Sequence, residues 1–115
     1  MANVAVLGGG SWGVTLANVL ADKGNSVTVW TIEPEVCNDI NQNHQNKKYL
    51  GDALLSSQLK ASLEFKDAIH EVEYILWALP TQVIRKVLTS QTALIPLDIT
   101  HISVSKGIEV STSKR

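Results

Sequence analysis

The stretch Gly8-Gly9-Gly10-Ser11-Trp12-Gly13 constrains this chain more than any other part of it. It sits directly after the apolar run Val4-Ala5-Val6-Leu7 and directly before a helical pattern. In a strand–turn–helix unit of this kind, each glycine has its own task. Gly8 permits the tight turn, Gly10 lets an incoming group approach the backbone, and Gly13 lets the helix pack closely on the strand. The start of the helix presents amide N–H groups without intrahelical partners and a partial positive charge, both of which favour an anion.

The surroundings strengthen this reading over that of a plain structural turn. Four consecutive apolar residues are expected of a strand buried on both faces. Trp12, Leu16, Val19 and Leu20 share helical spacing and are expected to form the inward face. Lys23 in the last turn and Gly24 after it close the helix. The β-branched run Ser26-Val27-Thr28-Val29-Trp30 follows as a second strand. Together these make a βαβ unit of about 30 residues, the size that holds the linked phosphates of a dinucleotide at its turn.

The 115 residues suffice for one domain, which we take as 1–115. A net charge of −1 offers no surface for nucleic acid. Cys37 has no second cysteine to pair with, which fits a reducing, cytoplasmic compartment. No apolar run approaches the ~20 residues that span a bilayer, and the N-terminus lacks the basic region of a signal peptide. His44, His70 and His101 show no metal-ligand spacing with one another or with Cys37, so no metal is expected and all three are read as structural or surface groups.

Further along, Pro34 is expected to open a short helix with Val36 and Ile40 inward. Residues 41–48 are polar and without period, and read as a solvated loop or frayed helix end. A short strand is expected over Leu59–Ser62, a helix over 65–72, a strand over 74–79 ended by Pro80, a helix over 82–88 and a strand over 100–104. Strands alternating with helices imply a doubly wound parallel α/β sheet of Rossmann type. Ligands bind such sheets at the carboxyl ends of their strands, so residues 8–13, 78–82 and 105–107 are expected to meet at one crevice. A sheet of this type commonly has six strands and needs more chain than this, which points to an N-terminal fragment.

Taken together, these motifs resemble bacterial-type NAD(P)-dependent glycerol-3-phosphate dehydrogenase. The resemblance rests on Gly8-Gly9-Gly10-Ser11-Trp12-Gly13, Val27-Thr28-Val29-Trp30, Tyr49-Leu50, Ala78-Leu79-Pro80-Thr81-Gln82 with Arg85, and Ser105-Lys106-Gly107-Ile108-Glu109. It covers nearly all of this chain and about the first third of the family's usual length. It implies reduction of dihydroxyacetone phosphate to sn-glycerol 3-phosphate, a phospholipid precursor, with NADH or NADPH. It implies cofactor contacts at Ser11, Trp12 and Tyr49, and a contact of Lys106 with both cofactor and substrate. The family's catalytic lysine belongs to a helical second domain, so this chain taken alone is expected to bind cofactor without turnover. Where the family often carries an arginine, this chain has Ile32.

Several residues admit two readings. Ser11 is suited both to capping the first helix and to touching phosphate. Trp12 suits a core position or a cofactor contact at the crevice mouth. Glu33 lies 20 residues beyond Gly13, where an acid accepts a hydrogen bond from the ribose 2′-OH of NAD. That favours NAD over NADP, unless Lys47 or Lys48 folds back to supply a cation. Pro80 ends a strand and stands above the crevice on the nicotinamide side. Lys106 suits a phosphate-bearing substrate or a polarised ketone oxygen. Arg85 suits a solvated helix face, and Trp77 the core. Two other functions fit less of the sequence: a stand-alone dinucleotide sensor, and another two-domain hydroxy-acid dehydrogenase. A homodimer is compatible with the sequence, since the surface left for a second domain would be apolar.

Overall fold

The structure, a computed structural model, describes residues 2–79, 81–91 and 99–103. Among the described residues, five strands form one parallel sheet: β1 (Asn3–Leu7), β2 (Ser26–Trp30), β3 (Leu59–Ser62), β4 (Tyr74–Trp77) and β5 (Thr100–Ser103). Their spatial order is β3-β2-β1-β4-β5, the doubly wound arrangement expected from the alternation of strands and helices. In register, Leu7 stands opposite Trp30 on one side and Trp77 on the other, while Trp30 meets Ser62 and Trp77 meets Ser103. All five strands therefore end along one edge.

The helices are α1 (Ser11–Asp22), α2 (Pro34–Asn38), α3 (Lys47–Leu50), α4 (Phe65–Ala68) and α5 (Thr81–Gln91), with a π-helical turn over Asp39–Asn43. Alternate residues of β1 serve opposite cores. Val4 and Val6 pack with Val14, Ala17, Val36 and Ile40, and Ala5 and Leu7 pack with Phe65, Ile69, Trp77 and Val87. This is why β1 reads as an unbroken apolar run rather than an alternating one. Trp30 crosses Phe65 edge to face at 5.1 Å, and its indole N–H donates to the Leu63 carbonyl at 3.1 Å. Trp77 is core as expected, and it donates to His101 Nδ1 at 3.0 Å.

The inward face of α1 differs from the expected one. It is formed by Gly13, Val14, Ala17 and Ala21, while Trp12 and Val19 are each 47% exposed and only Leu20 of the expected set packs against the core. The physical reason is distance. A helix held against its strand by a glycine has room beneath it only for small side chains, so the bulky ones turn outward. The expected helix over 65–72 is cut to Phe65–Ala68, and Glu71 beyond it has a left-handed φ of +56°. α5 runs longer than expected and β4 stops at Trp77. Pro80 and residues 104–107, Lys106 among them, lie outside the described residues. Among the described residues, no helix is long and apolar enough to cross a membrane.

Candidate functional site at the glycine turn

The turn between β1 and α1 is shaped by four glycines with unequal obligations. Gly8 has φ +129°, and a Cβ there would come within 2.4 Å of the Ala78 carbonyl oxygen. A Cβ on Gly13 would lie 2.2 Å from the Gly8 carbonyl oxygen. Gly9, to which the sequence reading assigned no task, faces Thr31, whose Oγ1 would stand 2.7 Å from its Cβ. Three of the four are therefore required by the protein's own packing.

Gly10 is different. Its φ of −76° suits any residue, and no atom of the described residues lies within 4 Å of where its Cβ would be. The fold imposes no glycine here. The bare α-carbon borders open space at the start of α1, on the sheet edge where all the strands end, and it leaves room for something from outside. Gly10 is also the N-cap of α1, with no side-chain cap. Ser11 is thus the first helical residue and not the cap, because the chain enters the helix one residue earlier than a Ser11 cap requires. The Ser11 side chain stays exposed beside Trp12 at the mouth of the turn. Ala78, after β4, touches the turn through the carbonyl that faces Gly8. Residues 8–13 and Ala78 are thus brought together as expected.

A second cluster stands at the end of β2. Thr31 Oγ1 accepts a hydrogen bond from the Glu33 amide at 3.1 Å, which fixes the turn that presents Glu33. One Glu33 carboxylate oxygen pairs with Lys48 Nζ, and the other accepts from Tyr49 Oη at 2.7 Å. Lys48 also lies 3.6 Å from Glu35 and 5.5 Å from the centre of the Tyr49 ring. Lys48 has therefore folded back onto the acid. It holds the Glu33 carboxyl below its ordinary range, with Tyr49 assisting, and Glu33 in turn pushes the Tyr49 phenol and the Lys48 ammonium upward. A groove of about 440 Å³ beside this cluster is lined by Glu35, Asp39, Asn43, Lys47 and Lys48 but by none of the turn's glycines, so it is not the anion cradle.

The depressed carboxyl has a consequence for pH. A carboxyl whose folded pKa lies below its unfolded value contributes stability above the unfolded value and loses it as pH falls through the folded one. Replacing Lys48 removes the larger cause. In a Lys48→Met variant, the Glu33 side-chain carbon resonance should titrate at higher pH than in the wild type. An unmoved titration would show that Tyr49 alone holds the carboxylate.

The polar run over residues 41–48, expected as a solvated loop or frayed helix end, keeps residues 41–43, 47 and 48 exposed and begins in the π-helical turn that follows α2, but it buries one side chain. Asn46 is fully buried, donating from Nδ2 to the Gly9 carbonyl at 3.0 Å and accepting at Oδ1 from the Tyr49 amide at 3.4 Å. Its local signal was legible, since an Asn before Lys-Lys-Tyr is a helix N-cap. Its partner, 37 residues away, was not. Asn41 similarly bridges to β3, exchanging hydrogen bonds with both backbone groups of Ala61 at 2.9 and 2.8 Å. Burial of the Asn46 amide is tolerated because its partners satisfy it.

Comparison with known proteins agrees with this geometry. Residues 3–115 match the model of the family described as NAD-dependent glycerol-3-phosphate dehydrogenase N-terminus. The chain is 44% identical over its whole length to a glycerol-3-phosphate dehydrogenase [NAD(P)+] of Corynebacterium urealyticum, of which it covers 35%. It is 42% identical to the enzyme of that name from Bacillus cytotoxicus, covering all of this chain and 34% of that one. The crystal structure of glycerol-3-phosphate dehydrogenase from Coxiella burnetii superposes with a TM-score of 0.83 at 32% identity, over 93% of this chain and 33% of that chain. The chain spans about a third of the length of the relatives it matches. By its glycine turn, its strand order and the match over residues 3–115, it belongs to the NAD-dependent glycerol-3-phosphate dehydrogenase N-terminus family.

Proposed function

We propose that this chain is the coenzyme-binding part of a glycerol-3-phosphate dehydrogenase, taking NAD or NADP across the glycine turn. The whole protein would reduce dihydroxyacetone phosphate to sn-glycerol 3-phosphate in the cytoplasm, supplying phospholipid synthesis. Gly10 carries this reading. It is the one glycine of the turn that no neighbour demands, and it borders open space at a helix start. Bound there, the coenzyme supplies the hydride.

The protein's own groups divide the remaining work. The amides opening α1 receive the pyrophosphate, with Ser11 and Trp12 at its rim. Glu33 receives the ribose 2′-OH, because an ionised carboxylate has acceptor sites left after Lys48 and Tyr49 have taken theirs. Tyr49 reaches the same end of the coenzyme through its bond to Glu33. Pro80 borders the nicotinamide side. Lys106 comes three residues after β5 in the sequence, and its cation suits a phosphate-bearing ketone.

NAD is favoured over NADP. A 2′-phosphate would meet the carboxylates of Glu33 and Glu35, with Lys48 already paired to both. Titration of the protein with each reduced coenzyme, followed by fluorescence, should show saturable binding of both and tighter binding of NADH. Binding of neither would overturn the reading. Tighter binding of NADPH would reassign Lys48 from counter-ion of Glu33 to partner of the 2′-phosphate.

A further inference from the structure

Asn46 has a chemistry that the site as described does not use. It is completely buried, yet it belongs to a segment otherwise rich in surface polar residues. Its Nδ2 reaches the Gly9 carbonyl at 3.0 Å from 37 residues away. The Gly9 carbonyl and the Gly10 N–H belong to one peptide unit. No peptide bond among the described residues is cis, so these two groups point in opposite directions. Whatever grips the carboxyl-side oxygen of that unit also aims its amide. We propose that Asn46 is a positioning residue for the coenzyme: by holding the Gly9 carbonyl inward it turns the Gly10 N–H outward as a donor to the pyrophosphate.

The same side chain ties the two ends of the site together. Asn46 Oδ1 accepts from the Tyr49 amide, and the Asn46 carbonyl accepts from the Leu50 amide at 2.7 Å. These bonds fix the single turn that carries Lys48 and Tyr49 over Glu33. One buried amide group thus sets the phosphate turn and the ribose-side cluster in a common frame. A Cβ on Gly9 would meet Thr31 and Val36, so the fold demands a glycine there, and the orientation of the following peptide plane is set separately by the hydrogen bond from Asn46.

The proposal rests on the reading of the turn as a dinucleotide site, and the test separates the two. In Asn46→Ala the Gly9 carbonyl loses its buried partner and the peptide is free to rotate. NADH affinity, measured by fluorescence titration of the folded protein, should weaken about tenfold or more. A wild type that binds NADH beside a folded variant that binds it equally well would overturn the role of Asn46 alone. A wild type that takes up no NADH would overturn both readings. A second measurement uses only the wild type, in case the variant does not fold. In the ¹⁵N-labelled protein, adding NADH should shift the Gly10 amide resonance strongly and the Gly8 amide much less, because Gly8 N–H already donates to the Trp30 carbonyl at 2.9 Å. A Gly10 amide that does not move at saturating NADH would show that it is not aimed at the ligand.

Discussion

Gly10→Val is expected to abolish dinucleotide binding while leaving the fold standing. A valine Cβ at this position meets no atom of the described residues within 4 Å, and the backbone there has φ −76°, which valine adopts without strain. Loss of a tolerated N-cap residue should reduce stability by about 1 kcal/mol at most. The added side chain instead fills the space next to the amides that open α1. It holds the phosphates off by more than a hydrogen-bond length, and the charge-assisted contacts of the turn are lost together. A loss of two contacts of this kind corresponds to affinity weaker by about 100-fold or more. Calorimetric titration with NADH should therefore show no heat of binding at concentrations that saturate the wild type, while the thermal midpoint stays close to it. Retained affinity would mean that the ligand does not approach the chain at Gly10.

Gly13→Ala should do the reverse, and two effects of opposite sign compete there. Alanine is the better helix former by about 1 kcal/mol, so on propensity alone the substitution would stabilise α1. The new methyl, however, would lie 2.2 Å from the Gly8 carbonyl oxygen and 3.3 Å from Ala78 Cβ. Both are fixed: the Gly8 oxygen is backbone, and the Ala78 amide donates to the Leu7 carbonyl at 3.0 Å. Relief requires α1 to move away from the sheet, which opens the core around Val14 and Ala17. Overpacking of this severity costs about 3 kcal/mol or more, which outweighs the propensity gain and is a large share of a domain's total stability. Urea denaturation should show a midpoint lowered accordingly. A raised midpoint would show that the helix shifts at little cost, and that Gly13 is not what sets the distance of α1 from β1. The pair of variants thus separates a glycine required by the fold from a glycine that only a ligand requires.

The strands were the most legible elements. β2 and β3 occupy their expected residues, and β1 carries the expected apolar run. β1 and β2 are short apolar or β-branched segments bounded by a turn, a signal that depends only on the residues themselves, while β3 alternates buried Leu59 and Ala61 with polar Lys60 and Ser62. Pro34 at the head of α2, with Val36 and Ile40 buried behind it, was legible for the same reason. The face of α1 was not. Periodicity counts large apolar residues, and it selected Trp12 and Val19, but the helix lies too close to the sheet for them. The signal that would have corrected it was present: Gly13, Ala17 and Ala21 share one face and are all small.

The candidate site shows the same division. Gly8, Gly10 and Gly13 could be assigned from spacing because the turn is local. Lys48 could only be offered as one of two cations able to fold back towards Glu33, since nothing in the polar segment distinguishes it from Lys47. In the structure α3 places Lys48 and Tyr49 together over the acid, and Asn46, read as part of a solvated loop or frayed helix end, accepts from the Tyr49 amide.

Alone, then, the order of residues determined the parallel α/β class, the glycine turn and the edge on which a ligand would lie, because those follow from hydrophobic runs and from backbone freedom along short segments. The tertiary structure decided which glycines are bound by neighbours and which one faces outward, which face of α1 is buried, and that Asn46 reaches Gly9. Each of these depends on distances between segments remote in the chain. Burying a polar amide or omitting a side chain is favourable only once the partner, or the empty space, has been brought beside it.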